Sequence, residues 1–279
     1  MDVLSDVISA VRTGRPHSAR SERTGPWVVR HEPFAGAGFH LVLEGRCCFV
    51  PPNGEPIEVR AGDVVFFPRG SAHTLTSAEA GARTVMLCGA YLMDRDRLHP
   101  LLDELPDVVQ LPIRYGRHQE LRGAIELLTT ELEQPRAGGD ALLSALLDAM
   151  LLYLIRAWLD DQDQEHTGWT AALRDPAIRS ALHAIHDAPE HPWTVAELGR
   201  LTGLSRAAFA RRFTTLVGRP PLAYLTWWRM TTAAHHLRSS DVPLRSVAQR
   251  VGYTSEYAFA TAFKRELGQA PGSYRRQPA

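Results

Sequence analysis

Two groups of side chains in the last third of this 279-residue chain could contact the edges of base pairs, either by hydrogen bonds or by apolar contact. They are Arg206, Ala207, Ala210 and Arg211, and then Glu256, Tyr257, Ala260 and Thr261. An arginine such as Arg211 can donate two parallel hydrogen bonds to guanine, which discriminates against other bases by ~1–3 kcal/mol. The alanines offer only apolar contact, for instance with a thymine methyl. Base reading is therefore predicted to be stronger in the first group.

An internal repeat places the two groups at equivalent positions. Fifty residues separate the members of each pair: Ser205/Ser255, Phe209/Phe259, Phe213/Phe263, Gly218/Gly268, Pro221/Pro271 and Tyr224/Tyr274. Before each serine the offset is forty-nine and pairs Leu198, Gly199 and Gly203 with Val247, Ala248 and Gly252. Each copy predicts a short helix, a turn containing glycine and a second helix opened by serine, which is typical of a helix-turn-helix.

Helical geometry separates the buried face of each second helix from its displayed face. The phenylalanine pairs face inward, so the two base-reading groups face outward, together with Lys264. Thr194 and Glu197 predict a capping box on the helix before Gly203. Residues 221–237 contain no helix breaker, and a helix of that size spans roughly 25–30 Å. Such a helix can hold two recognition helices in successive major grooves, about 34 Å apart.

The charge distribution supports contact between this part of the chain and nucleic acid. Residues 171–279 contain 15 Lys and Arg against 7 Asp and Glu, whereas residues 1–170 contain 16 against 24. Basic side chains concentrated in one domain are typical of a protein that binds a phosphate backbone. Arg212, Lys264 and Arg265 are the predicted phosphate contacts, which position a protein without specifying sequence.

The first third of the chain has a different pattern, in which short apolar runs alternate with Gly and Pro. The runs occupy residues 27–29, 39–43, 47–50, 57–59, 64–67 and 84–87. Strands at about ten-residue intervals predict a β-sandwich or small barrel. Residues 62–73, GDVVFFPRGSAH, resemble the second motif of the cupin jelly roll, and His40 and Glu44 match part of the first. Gly38 and Ser77 depart from those motifs, where cupins usually have His and Asn.

Residues 175–276 resemble the DNA-binding domain of the AraC/XylS family of bacterial transcription regulators. The resemblance rests on the stretch VAQRVGY at residues 247–253 and on Phe259, Phe263-Lys264, Gly268, Pro271 and Tyr274-Arg275. Residues 1–160 resemble the cupin-type sensor domain of some members. The resemblance implies that the two displayed groups read promoter DNA. It also implies a homodimer, an unknown small-molecule, metal or redox effector, and RNA polymerase as a partner if the protein is an activator.

The cupin resemblance also implies a candidate metal site. His40, Glu44 and His73 match three of the four positions that hold metal in cupin enzymes, and Cys88 is a soft candidate for the fourth ligand. Two imidazoles with a thiolate suit zinc, whereas two imidazoles with a carboxylate suit iron or manganese. A metal-bound thiolate is also a target for oxidation. The alternatives are histidines satisfied within the core and a sugar-type ligand in the barrel mouth.

These patterns predict an α+β protein of two domains. Residues 1–160 form a cupin-like β-barrel followed by a helical hairpin, residues 161–174 a linker, and residues 175–279 an all-α domain of two helix-turn-helix units joined by a long helix. The hairpin consists of two apolar stripes separated by a turn at residues 134–140. The barrel and a second subunit are equally plausible covers for these stripes, and the second leads to the predicted homodimer.

The compartment is predicted from cysteine usage and from the lack of targeting patterns. Cys47 and Cys48 are adjacent, so on a strand they point to opposite faces and make poor disulfide partners. Residues 1–15 lack the basic start and long apolar run of a secretory signal. No segment approaches the ~18 apolar residues that a membrane span needs. A cytoplasmic protein is expected.

Two classes of function remain after these observations. The first is a sequence-specific DNA-binding regulator whose cupin-like domain controls the response, and which is not an enzyme. The second is a cupin metalloenzyme, such as a dioxygenase or isomerase, fused to a DNA-binding tail. The second class needs a complete ligand set, and Gly38 argues against it because a histidine is missing there.

Overall fold

The structure is a computed structural model that describes residues 2–79, 81–93, 99–112, 117–134, 136–162 and 168–276. The chain divides into two compact units. One comprises the described residues within Arg12–Leu98 and Leu102–Gln162, and is called the cupin unit below. The other comprises those within Met1–Val11, His99–Leu101 and Asp163–Ala279, and is called the helical unit.

The cupin unit is built from two antiparallel sheets. One contains β1 (His17–Thr24), β8 (Arg83–Leu92), β3 (Gly36–Glu44), β6 (Asp63–Phe67) and β9 (Val109–Pro112), in that order across the sheet. The other contains β2 (Val28–His31), β7 (His73–Ser77), β4 (Arg46–Val50) and β5 (Ile57–Arg60). Alternating side chains from both sheets fill the core, among them Val42, Phe49, Val65, Phe67 and Leu75. The predicted cupin-like β-sandwich is confirmed.

Two long helices follow the strands; they pack on each other, and the second also packs on the sandwich. They are α3 (Gln119–Glu133) and α4 (Gly139–Asp161), preceded by the short α2 (Pro100–Asp103). The Tyr91 hydroxyl on β8 donates to the Leu147 carbonyl on α4 at 2.7 Å. The buried face of α4 includes Leu147, Met150 and Leu154. The β-sandwich therefore covers part of the apolar surface of the helical hairpin. Leu127 and Leu142 remain 58% and 50% exposed.

Among the described helices, α4 alone is long and apolar enough to cross a membrane by length and composition. Its mean hydropathy reaches 1.7 over 18 residues, so the expectation that no segment approaches a span was wrong. The expectation overlooked α4, in which only a few polar residues interrupt the apolar ones. The core helix of a soluble protein passes the same test, and α4 packs on β9 and β1.

The helical unit begins with α1 (Val3–Val11), an amphipathic helix. Its apolar face packs on two later helices, α6 (Pro176–Asp187) and α9 (Pro221–Ser239). The remaining helices are α5 (Trp169–Arg174), α7 (Val195–Leu201), α8 (Arg206–Val217), α10 (Leu244–Arg250), α11 (Glu256–Leu267) and α12 (Pro271–Arg275). The segment predicted as a linker thus contains α5, and its residues 163–167 lie outside the described residues.

A buried polar cluster surrounds Tyr224 on α9. The Tyr224 hydroxyl lies 2.7 Å from His186 Nε2 and 3.2 Å from His99 Nε2. His99 Nδ1 accepts from the Leu101 amide at 3.0 Å, so His99 donates through Nε2 and the Tyr224 hydroxyl donates to His186. His186 Nδ1 in turn lies 3.4 Å from an Asp6 carboxylate oxygen on α1. Burial lowers the pKa of both histidines, so the cluster is a chain of neutral imidazoles around one phenol.

Both copies of the repeat form the predicted helix-turn-helix. In α8 and α11 the opening serine accepts a hydrogen bond from the third amide of the helix at 3.3 Å, Ser205 from Ala208 and Ser255 from Ala258. Phe209/Phe213 and Phe259/Phe263 are fully buried. Helix α9 joins the copies with 19 residues and, at 1.5 Å per residue, is ~28 Å long.

Candidate nucleic-acid interface and metal centre

The displayed face of α8 has the composition predicted from the sequence. Arg206, Ala207 and Arg211 are exposed, and Ala210 is half-buried beside them. The helix begins at its Ser205 cap, so these side chains lie along the exposed side of an otherwise anchored helix. Arg211 also lines an open groove with Leu204 and Ala208. Its guanidinium is accessible to a base edge, as direct readout requires.

Arg212, the neighbour of Arg211, has an internal partner. Its Nε donates to an Asp175 carboxylate oxygen at 2.6 Å. The other Asp175 oxygen accepts from the Ala177 and Ile178 amides and caps α6. Arg212 is therefore exposed but also bound to the cap at the start of α6. The sequence had predicted that it faces solvent as a phosphate contact. Arg265 lies 3.4 Å from Glu266, and Lys264 is exposed.

The displayed face of α11 differs in chemistry from that of α8. Glu256 and Thr261 are exposed, and Ala260 is half-buried. The Tyr257 side chain is 83% exposed, so it does not pack on the fold. The Thr261 hydroxyl donates to the Tyr257 carbonyl at 2.9 Å. This face therefore presents a carboxylate and a phenol where α8 presents two guanidinium groups.

In the cupin unit, three histidines from three strands converge. His40 lies in β3, His73 opens β7 and His31 ends β2. Strands β2 and β7 pair so that His31 is directly opposite His73. One ring nitrogen from each histidine lies within 4.8 Å of the other two. The structure thus joins His31 to the predicted pair His40 and His73.

The hydrogen bonds around this triad fix which ring nitrogens hold hydrogen. His73 Nδ1 lies 2.8 Å from the Ser71 carbonyl oxygen, which only accepts, so Nδ1 donates. His40 Nε2 then donates to His73 Nε2 at 2.7 Å. The Cys88 thiol donates to His40 Nδ1 at 2.9 Å. Every one of these donors has an acceptor, so the network is satisfied with all groups neutral.

Burial shapes the acid–base chemistry of the triad. Desolvation lowers the pKa of His40 well below its usual range and lowers that of His73 to about 4. The pKa of His31 is lowered by burial and then by the charge of Arg23. Neutral imidazoles with available lone pairs are the form in which histidine binds metals.

Cys88 does not belong to the group of ligand atoms formed by the three histidines. It lies on β8 opposite His40 and contacts Nδ1, whereas His73 contacts Nε2 on the far side of the same ring. Burial raises the pKa of the Cys88 thiol to about 12. The thiol is therefore placed to orient the His40 ring.

Two further positions of the cupin motifs are explained by the structure. A β-bulge falls between Val42 and Glu44, and the Glu44 side chain is 56% exposed and paired with Arg83. The expected carboxylate is therefore outside the triad, because the bulge changes the face on which it emerges. At Gly38 a Cβ atom would overlap the Phe67 ring, so a histidine does not fit there.

A pocket of about 210 Å³ opens beside the triad. His31, His40 and His73 form part of its wall, together with Phe34, Phe67 and Cys88. The remainder of the wall consists of four small residues and two polar ones: Ser18, Ala19, Gly89, Ala90, His17 and Glu32. The pocket is smaller than the ~300–1,000 Å³ of a typical drug-sized site, so it suits a small ligand.

The sequence matches those of known proteins over the whole chain. A family model described as cupin matches residues 2–160, and one described as a helix-turn-helix domain matches residues 198–277. A putative AraC-like transcription regulator of Streptomyces antibioticus is 33% identical, over 100% of this chain and 99% of that protein. The RCS-specific HTH-type transcriptional activator RclR of Escherichia coli (strain K12) is 32% identical, over 89% of this chain and 88% of RclR.

One solved structure has a similar sequence in the helical part. The DNA-binding domain of AdpA, crystallised with a target DNA, is 35% identical over 36% of this chain and 90% of that chain, with a TM-score of 0.34.

The fold and the matches define a two-domain α+β protein in which a cupin β-sandwich accompanies a double helix-turn-helix. The chain belongs to the AraC family of DNA-binding transcription regulators.

Proposed function

We propose that the cupin unit of this regulator is a sensor that holds zinc or another divalent metal through His31, His40 and His73, and that occupancy controls DNA binding by the helical unit. The observation behind the proposal is the convergence of three buried or half-buried imidazoles on one point. Three histidines are a known ligand set for zinc that leaves a fourth position open.

The surroundings of the triad fit a metal site. His73 Nδ1 donates to the Ser71 carbonyl, and such a contact orients a ligating histidine and leaves Nε2 for the metal. Binding through His40 Nε2 moves the ring hydrogen to Nδ1, where Cys88 Sγ lies 2.9 Å away as an acceptor. Cys88 is then an orienting partner, in place of the direct ligand expected from the sequence. A bound metal would act as a Lewis acid toward a ligand in the pocket.

The pocket supports a role for a small effector beside the metal. Its volume of about 210 Å³ and its apolar wall suit a compact molecule with one group that reaches the triad. Redox sensing through Cys88 has weaker support, because a thiol whose pKa is raised to about 12 is mostly protonated at neutral pH. Effector binding and metal binding therefore form one proposal for this site.

Zinc titration of the chelator-treated full-length protein tests the metal proposal. The variants are His31→Ala, His40→Ala and His73→Ala, and the matched control is His17→Ala, because His17 lines the same pocket outside the triad. Calorimetry should show each triad variant losing more than 100-fold in zinc affinity and the control losing less than about 3-fold. Cys88→Ser should lose about 10-fold, as is typical for an orienting partner.

Two outcomes would change this assignment. If Cys88→Ser lost as much affinity as the histidine variants while His31→Ala lost none, Cys88 would be the ligand in place of His31. If no triad variant lowered zinc affinity, the histidines would be core residues and the metal proposal would be wrong. In either case anisotropy with promoter DNA, with and without zinc, reports whether the site controls DNA binding.

We further propose that one subunit reads two unlike half-sites in a fixed order, since α8 and α11 display different chemistry. The binding partner is double-stranded promoter DNA in the cytoplasm, and RNA polymerase is a second partner if the protein is an activator. Arg211→Ala should weaken binding to fragments from upstream of its own gene and reduce discrimination at one guanine. Absence of salt-dependent binding to any promoter fragment would refute base reading by this chain.

A homodimer is proposed from the exposed apolar residues of the α3/α4 hairpin. Leu127 and Leu142 lie on its two helices and are 58% and 50% exposed. Sedimentation at low micromolar concentration should give twice the chain mass of 31.0 kDa for the wild-type protein. Leu127→Glu with Leu142→Glu should give the monomer mass, and Val28→Glu, at a residue 64% exposed on β2, is the control.

A further inference from the structure

The turns of the two helix-turn-helix units differ in their surroundings. Gly203 and Gly252 occupy equivalent positions, with φ of +71° and +81°. A Cβ atom added at Gly203 would meet nothing within 4 Å. At Gly252 it would lie 2.7 Å from the Glu190 carbonyl oxygen and 2.8 Å from Arg229 Nη2. The second turn is therefore pressed against the loop between α6 and α7, and the first turn is open.

Arg229 on the connecting helix α9 forms the centre of this contact. Its Nε donates to the Pro189 carbonyl at 2.6 Å, and its Nη2 donates to the His191 carbonyl at 2.9 Å. The guanidinium also lies over the ring of Tyr253, 5.9 Å from the ring centroid. The planar donor fork of arginine suits two carbonyls and an aromatic face at once. One side chain thus joins the loop at residues 188–193 to the turn of the second unit.

The same loop is fixed to the first unit. His191 Nε2 donates to the Glu197 carboxylate on α7 at 2.9 Å. This bond satisfies the carboxylate without the bond to the Thr194 amide that a full capping box contains. Thr194 accepts from the Glu197 amide at 3.1 Å and caps α7. The Trp193 indole donates back to the Ala188 carbonyl at 3.0 Å. These hydrogen bonds hold the loop in a fixed position relative to the first helix-turn-helix.

We propose that Arg229 is a positioning residue that fixes the spacing and rotation of the two recognition helices, so that the protein selects operators by the number of base pairs between half-sites. Helix α9 connects the two helix-turn-helix units at one place. A connection through α9 alone would permit one helix-turn-helix unit to twist about the helix axis relative to the other. The contact through Arg229 is a second connection, which removes that freedom. The inference rests on the proposed reading of two half-sites by one chain.

DNA geometry gives the test its sensitivity. One inserted base pair moves a half-site by ~3.4 Å and rotates it by roughly 34–36° about the DNA axis. A rigid pair of units cannot follow that change, whereas a pair joined only through α9 can adapt to part of it. The readout is therefore the penalty for altered spacing, which a general loss of stability does not change.

Duplex DNA selected from a random library by the wild-type protein supplies the probe, with one base pair then removed or added between the half-sites. Anisotropy should show the wild type losing at least about 10-fold in affinity at either altered spacing. Arg229→Met should bind the selected spacing more weakly and lose less than about 3-fold on alteration. Arg229→Lys should be intermediate, because lysine keeps the charge without the fork. Arg200→Met, which removes an exposed charge from α7, should retain the wild-type penalty.

An unchanged spacing penalty in Arg229→Met overturns the inference, whatever happens to its affinity. A wild type that binds the selected DNA without spacing preference overturns it as well, but leaves DNA reading intact. A wild type that selects no DNA refutes the proposed reading and this inference together. If Arg229→Met does not fold by circular dichroism, Tyr253→Leu replaces it, since leucine keeps apolar packing and removes the ring beneath the guanidinium. Its spacing penalty should then fall, and an unchanged penalty overturns the inference.

Discussion

The two helix-turn-helix units have the same interior and different surfaces. In both, the phenylalanine rings have centroids 5.5 Å apart at an interplanar angle of 54°. The tyrosine that ends each copy packs edge-on against the second ring, Tyr224 at 5.8 Å and Tyr274 at 5.4 Å. The exposed residues of α8 and α11 instead differ at equivalent positions, such as Arg211 and Thr261. Close packing keeps an interior constant, and solvent imposes no such requirement on a surface.

The largest effect is expected in the shared interior. Phe209→Ala and Phe259→Ala each remove a fully buried ring, which should lower the free energy of unfolding by about 3–5 kcal/mol. Urea denaturation of the full chain would measure both losses. Values within about 1 kcal/mol of each other support equal interiors, whereas a large difference would show that the cores of the two copies pack differently.

The turn glycines should show a smaller effect that separates the copies. Gly203→Ala meets only the left-handed backbone cost of about 1–2 kcal/mol. Gly252→Ala should lose a further ~1–3 kcal/mol, because the Cβ overlaps Glu190 and Arg229. Thermal unfolding of the two variants provides the comparison. Equal losses would mean that the second turn is not held against the loop.

The recognition faces should differ in their contribution to DNA affinity. Arg211→Ala should weaken binding to the selected operator by ~1–3 kcal/mol, because the proposed bidentate contact to guanine would be lost. Thr261→Ala should have less effect, since the Thr261 hydroxyl already donates to the Tyr257 carbonyl. Anisotropy titrations at one salt concentration would measure both. A larger loss for Thr261→Ala would reverse the assignment of the stronger reading face.

The smallest expected effect concerns the helix caps, which are again alike. Ser205→Ala and Ser255→Ala each remove an acceptor from an amide at 3.3 Å, at a cost of about 1 kcal/mol. Equal shifts in denaturation midpoint are expected. A cap without measurable effect in one copy would show that tertiary contacts alone hold the start of that helix.

Regular patterns made the helical unit predictable from the sequence. The fifty-residue repeat, the serine caps and the phenylalanine spacing are local or periodic, so they appear directly in the chain. The contact through Arg229 was not predicted, because it depends on where a loop and a turn meet in space. Arg212 was assigned to phosphates for a similar reason, since its partner Asp175 is 37 residues away.

The histidine triad proposed to hold metal was predicted only in part, because strand pairing determines its members. His40 and His73 stand in recognisable motifs, but His31 joins them through the register of β2 with β7. The polar strand β1, with six of eight residues exposed, gives no apolar signal and was not predicted either. The bulge that turns Glu44 away also arises from pairing and not from local sequence.

The Tyr224 cluster has a consequence for synthesis of the protein. Asp6 on α1 and His99 precede their partners His186 and Tyr224 in the chain by many residues. During translation the apolar side of α1, with Val7 fully buried in the final fold, emerges first and its partner helices α6 and α9 emerge late. The whole sandwich is therefore synthesised before the two helices that α1 packs on. Completion of the DNA-binding part thus joins α1 to helices that are synthesised after the sandwich.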